Sequence, residues 1–129
     1  MSASTNPFVG AYRLVHSVSI VDGEKVYPFG DDALGYIYYS DTGVMAVQIS
    51  RRERGATNDR GHLHHEYLCY FGRYEVDRDR KVVRHLLEGQ LFPGDHPSTL
   101  ERRYQFEGDR LSLKPLEGTD REILWERVR

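Results

Sequence analysis

Two polar side chains in this sequence stand in stretches that are otherwise apolar on alternate positions. His85 lies between Val83 and Leu87, and Arg102 alternates with Leu100, Tyr104 and Phe106. In strands, each alternate set shares one face, so an imidazole and a guanidinium are placed to line one interior. Burying either costs several kcal/mol unless it is paired, so each must meet a carboxylate, a hydroxyl or a ligand group. A hydrogen-bonded network with tyrosines meets that demand, and so does a pocket that orients the polar end of a ligand. Tyr12, Tyr39, Tyr70 and Tyr74 share faces with Leu14, Ile37, Leu68 and Val76. They either pack as core or offer hydroxyls to a bound carbonyl. His85, Arg102 and Tyr74 are the candidates for catalytic roles.

Other constellations carry less. His62-Leu63-His64-His65-Glu66 sets His62 and His64 on one face of an extended segment. A metal site needs three or four converging ligands with supporting hydrogen bonds, and a polar loop supplies histidines without that purpose, so no metal is assigned. His16, between Leu14 and Val18, reads as a satisfied core histidine. Cys69 shares its parity with Phe71 and Arg73 on an outer face, and no Gly-x-Ser-x-Gly elbow is present. Gly23, Gly30, Gly35 and Gly43 fall at turns or strand starts with no helix after them, so no phosphate loop, dinucleotide site or cofactor is expected.

The elements that position these residues repeat with period two almost throughout, which reads as all-β. A strand runs from about Val9 to Ile20, with Tyr12, Leu14, His16, Val18 and Ile20 on one face, and Asp22-Gly23 turns the chain. Gly35 to Tyr39 and Val44 to Ile49 form a hairpin around Gly43. Residues 50–61 are charged and without period, an exposed loop or a lid over one end. Further strands are expected from Leu68 to Asp77, Val82 to Phe92, Leu100 to Phe106, Leu111 to Leu113 and Ile123 to Val128. Sequential hairpins favour an up-and-down antiparallel barrel of about eight strands, which removes open edges and holds side chains or one small ligand. The lining set expected from alternation is Tyr12, Leu14, Tyr39, Met45 and Val47 from the first half of the chain. Tyr70, Tyr74, His85, Leu87, Arg102 and Tyr104 come from the second.

A chain of 129 residues is read as one domain, 1–129, with residues 1–7 as a flexible lead-in. Its formal charge of −2 gives no field to gather nucleic acid. No apolar stretch has the length of a signal peptide or a membrane span, and one cysteine makes no internal disulfide. A cytoplasmic protein with no membrane or nucleic-acid partner is expected, and a homodimer is compatible with its charged surface. Nine tyrosines against five phenylalanines and one tryptophan bring hydroxyls into the apolar interior.

The blocks Gly10–Val15, Val26–Gly30, Gly43–Gln48, Tyr70–Asp77, Glu88–Pro93, Arg102–Leu111 and Leu124–Val128 resemble, in order, those of the bacterial and fungal lipocalin-like domain family. Tyr12 departs from the tryptophan usual in that family. The resemblance implies a calycin-type barrel with an internal cavity, in a group that includes carriers of hydrophobic small molecules and cofactor-free enzymes. It leaves two functions as expectations. One is a barrel that binds a mostly apolar small molecule. The other is a cofactor-independent cyclase or isomerase of the pericyclase type, acting on a polyketide-like or other natural-product intermediate in the same cavity.

Overall fold

The computed structural model describes residues 6–54, 66–91, 98–116 and 120–129. Nine strands run through the described residues in chain order: β1 (Gly10–Val21), β2 (Glu24–Val26), β3 (Leu34–Tyr39), β4 (Val44–Ser50), β5 (Tyr67–Asp77), β6 (Val82–Gln90), β7 (Thr99–Glu107), β8 (Arg110–Pro115) and β9 (Asp120–Arg127). Neighbours pair antiparallel in the order β2-β1-β3-β4-β5-β6-β7-β8-β9, and β1 also pairs with β9. Eight strands therefore close into an up-and-down barrel, with β2 as an added strand. β1 is long enough to serve three partners: Gly10 to Arg13 face β3, Tyr12 to Ile20 face β9, and Ser19 to Val21 face β2. Among the described residues, closure of β1 on β9 removes the two edges that an open sheet would present to another chain.

Period two sorts the side chains as expected on most strands. On β4, Met45, Val47 and Ile49 are buried while Val44, Ala46 and Gln48 are exposed, and on β3 Ile37 and Tyr39 point inward. β1 departs from this. Its register with β9 shifts between Leu14 and His16, a bulge at Val15 that reverses the parity of the later residues of the strand. Ser17, not His16, is then buried. The core assignment of His16 is corrected: its Nε2 lies 3.0 Å from Glu122 Oε1, with both side chains about one third exposed. Such pairs contribute about 0–1 kcal/mol. His16→Ala is expected to change unfolding free energy in urea by less than about 1 kcal/mol, whereas a core position would cost more.

A second irregularity lies on β6 just after Leu87. The β5–β6 register shifts between Phe71 and Gly72, with Gly72 opposite Leu87 and Phe71 opposite Gly89. At Gly72 the strands come so close that an added Cβ would lie 1.9 Å from the Leu86 carbonyl oxygen.

The two ends of the barrel differ. At one end lie the tight turns β3–β4, β5–β6 and β7–β8, the start of β1 and the end of β9. This end is closed by Phe8, fully buried among Tyr39, Tyr104 and Phe106 at ring separations of 5.0, 4.8 and 5.0 Å, all edge to face. At Asn6 and Pro7 the lead-in makes hydrogen bonds to this end of the barrel. Asn6 Nδ2 donates to the Tyr74 hydroxyl at 3.0 Å, and the two ends of the Arg127 guanidinium donate to the carbonyls of Pro7 and Val9 at 2.8 Å. Gly10, at φ 139°, leaves room for that guanidinium, which a Cβ would meet at 2.8 Å. Residues 1–5 lie outside the described residues. The longer connections β1–β3, β4–β5, β6–β7 and β8–β9 all leave from the opposite end. Among the described residues no helix is long and apolar enough to cross a membrane.

Candidate functional site

Between the Phe8 layer and the end with the long connections, the barrel keeps a cavity of about 50 Å³. Its apolar wall comes from Ile37, Val47 and Ile49 on β3 and β4, Leu68 on β5, and Leu100, Leu113 and Ile123 on the later strands. Its polar wall is Tyr70, His85, Arg102, Arg121 and the indole of Trp125. The strands bring these together by register: Tyr74 stands opposite His85, and His85 opposite Leu100. On β9 the inward positions Arg121, Ile123 and Trp125 have the same spacing as Leu100, Arg102 and Tyr104 on β7.

At the centre is a neutral triad. The Tyr39 hydroxyl is 2.7 Å from His85 Nε2, and the Tyr70 hydroxyl is 2.7 Å from Nδ1. A neutral imidazole has one N–H and one bare nitrogen, so one tyrosine accepts from the ring and the other donates to it. Burial, reinforced by the nearby Arg102 charge, pushes the His85 pKa down to about 3. Burial raises the Tyr70 phenol to about 12 against the opposing pull of Arg102 and Arg121, and it raises Tyr39 well above its ordinary value. At neutral pH the triad therefore carries no charge, and His85 serves as a hydrogen-bonding hub rather than a base.

The charge in this region belongs to Arg102 and Arg121. Arg102 Nη1 donates to the Glu101 carbonyl at 3.0 Å. Burial and the proximity of Arg102 lower the pKa of Arg121. Among the described residues no carboxylate lies within ion-pair distance of either guanidinium. Arg121 Nε and Trp125 Nε1 are buried without a hydrogen-bond partner; Ser17 Oγ, the third such described atom, is not part of the cavity wall.

Of the residues expected from alternation, Val47, Tyr70, His85 and Arg102 meet at the cavity. Tyr39 stands one hydrogen bond behind it. Tyr12, Leu14, Met45, Tyr74 and Tyr104 are interior but belong to the packed core. Tyr12 donates to the carbonyls of Phe8 and Pro7 at 2.9 and 3.1 Å, beneath the Arg127 guanidinium. Tyr74 donates to the Ser40 carbonyl at 2.5 Å, which ties it to the closed end. Leu87, opposite Gly72 and in register with His85, is not among the residues that line this cavity or form the core cluster. Sequence reasoning missed Arg121 and Trp125. An alternation reading begun at Asp120 instead of Ile123 would have found both. His62, His64 and His65, with most of the expected 50–61 loop, lie outside the described residues.

An eight-stranded antiparallel barrel closed at one end around an interior cavity defines the lipocalin-like class. The family model described as a lipocalin-like domain matches residues 9–127, and the chain belongs to that family. No curated protein matches the chain significantly.

Proposed function

We propose that the barrel binds a small, mostly apolar molecule in the cavity between the Phe8 layer and the end with the long connections. The observation that carries this reading is the cavity itself, apolar on one wall and rich in hydrogen-bond donors on the other. A volume of about 50 Å³ far exceeds the roughly 10–15 Å³ that one water needs. It falls well short of the roughly 300 Å³ and more of drug-sized sites. The ligand is therefore small, or it is a longer molecule whose head enters while its tail runs past Leu68 and Leu100.

Trp125, the single tryptophan, lines the cavity and reports on its contents. Titration with 1-hexanol and 1-octanol is expected to change its fluorescence saturably with one-to-one stoichiometry. Leu100→Phe places a ring at the cavity wall and is expected to weaken that binding by about tenfold, or 1.4 kcal/mol. No saturable response from wild type, together with no small molecule retained in native mass spectra of gently purified protein, would overturn the reading.

A cofactor-free cyclase or isomerase is the second reading of the same cavity. Two guanidinium groups and the Tyr70 hydroxyl could stabilise an oxyanion developing on a bound carbonyl compound. His85, held neutral, would position rather than abstract a proton. Recovery of a chemically altered ligand at catalytic protein concentration would favour this reading over simple binding.

A further inference from the structure

Among the described residues the polar wall of the cavity is positive and lacks a counter-charge. Arg102 and Arg121 both contribute to it, and among the described residues no aspartate or glutamate does and neither guanidinium has a carboxylate partner. Two further donors stand ready beside them. Arg121 Nε is buried without an acceptor, and so is Nε1 of Trp125, a residue only 1% exposed. Buried polar groups in folded proteins are satisfied almost without exception, and a half-buried cation facing an enclosed cavity gains more from an anion than a neutral donor gains from an acceptor. The tyrosines do not supply one, because burial keeps Tyr70 and Tyr39 protonated.

We propose that the ligand is an amphipathic carboxylate, its head held between Arg102 and Arg121 and its apolar part against Ile49, Leu68, Leu100 and Leu113. This rests on the reading of the barrel as a small-molecule binder and names the class of molecule. A carboxylate is planar, carries two acceptor oxygens and matches the fork of a guanidinium. Its size suits a cavity of about 50 Å³. One negative charge between two guanidiniums relieves their mutual repulsion. The Tyr70 hydroxyl, one bond from His85 Nδ1, lies on the same wall to complete the donor set when it accepts from the ring and leaves its own proton free.

The test compares matched probes: hexanoate against 1-hexanol and octanoate against 1-octanol, at pH 7.5 and fixed ionic strength, with Trp125 fluorescence as the readout. Hydrogen bonds to charged groups contribute about 1.5–3 kcal/mol, so the acid is expected to bind about 10- to 100-fold more tightly than its alcohol. Arg102→Met with Arg121→Met is expected to abolish that preference, bringing the acid and the alcohol to within about threefold of each other. A second readout needs no ligand: removing a half-buried cation that has no described carboxylate partner is expected to leave the melting temperature of the free protein unchanged or higher. Equal affinity for acid and alcohol in wild type, or a preference that survives the double substitution, overturns the carboxylate assignment and leaves the binding barrel standing. A marked fall in melting temperature for each single arginine variant, without added ligand, also overturns it, because the guanidiniums would then be paired within the protein. Failure of both acid and alcohol to bind overturns the two readings together.

Discussion

Replacing Phe8 with alanine is expected to cost about 3–5 kcal/mol of unfolding free energy, the range for emptying a buried aromatic site. Phe8 precedes the first strand, yet it is fully buried and closes the barrel. Three edge-to-face neighbours surround it, and each such pair adds about 0.5–1.5 kcal/mol beyond the area it buries. The void cannot collapse easily, because the Tyr12 and Tyr74 hydroxyls and the Arg127 guanidinium hold the surrounding backbone by hydrogen bonds. Urea unfolding of wild type and Phe8→Ala measures the difference. A loss below about 1 kcal/mol would mean that the lead-in contributes little to the barrel. A total stability of about 5–15 kcal/mol is usual, so the expected loss is a large fraction of it.

Acidification is expected to destabilise the barrel through His85, well above the range in which carboxylates titrate. The unfolded chain binds a proton at this imidazole near pH 6.5, the ordinary value. The folded chain does so only near pH 3. Between those values the unfolded state holds more protons, so stability rises with pH and falls on acidification. The full contribution is present above about pH 6.5, is lost at up to about 1.4 kcal/mol per pH unit below it, and stops changing below the folded value. Glu122 acts lower on the scale. Hydrogen bonds from Ser112 and His16 outweigh its burial and lower its pKa, so the stability it contributes is lost only as pH falls through the carboxylate range. Urea midpoints between pH 7 and pH 5 therefore isolate the histidines. The His85→Gln variant is expected to be less stable at pH 7 but to lose less on moving to pH 5. Equal slopes for the two proteins would show that His85 already carries a proton in the fold or is reached by water. The two predictions are linked: Phe8 packs on Tyr39, which bonds His85 Nε2, so opening the Phe8 layer is expected to move the His85 titration back toward its ordinary value.

The amino-acid pattern by itself determined the barrel. Alternation along β3, β4, β5 and β7 is a local property, since successive side chains on any strand point to opposite faces, and the glycine-containing turns mark where each strand ends. The same logic placed Val47, Tyr70, His85 and Arg102 on the inner wall before any register was known. Tertiary structure decided what local pattern does not encode. A single extra residue at Val15 reversed the faces of β1, putting Ser17 inside and His16 against Glu122. A comparable shift on β6, just after Leu87, sets Gly89 and Gln90 out of step with the earlier residues of that strand. Bulges arise from pairing between strands, so alternation read from one strand cannot detect them. Depth along the barrel was equally hidden. Tyr74 and Tyr104 share inner faces with Tyr70 and Arg102, but only closure of the β1–β9 seam and insertion of Phe8 sort them into a sealed aromatic layer below and a donor-lined cavity above. That closure also brings Arg121 from the last strand to the same cavity wall as Arg102, and with it the unpaired positive charge on which the choice of ligand rests.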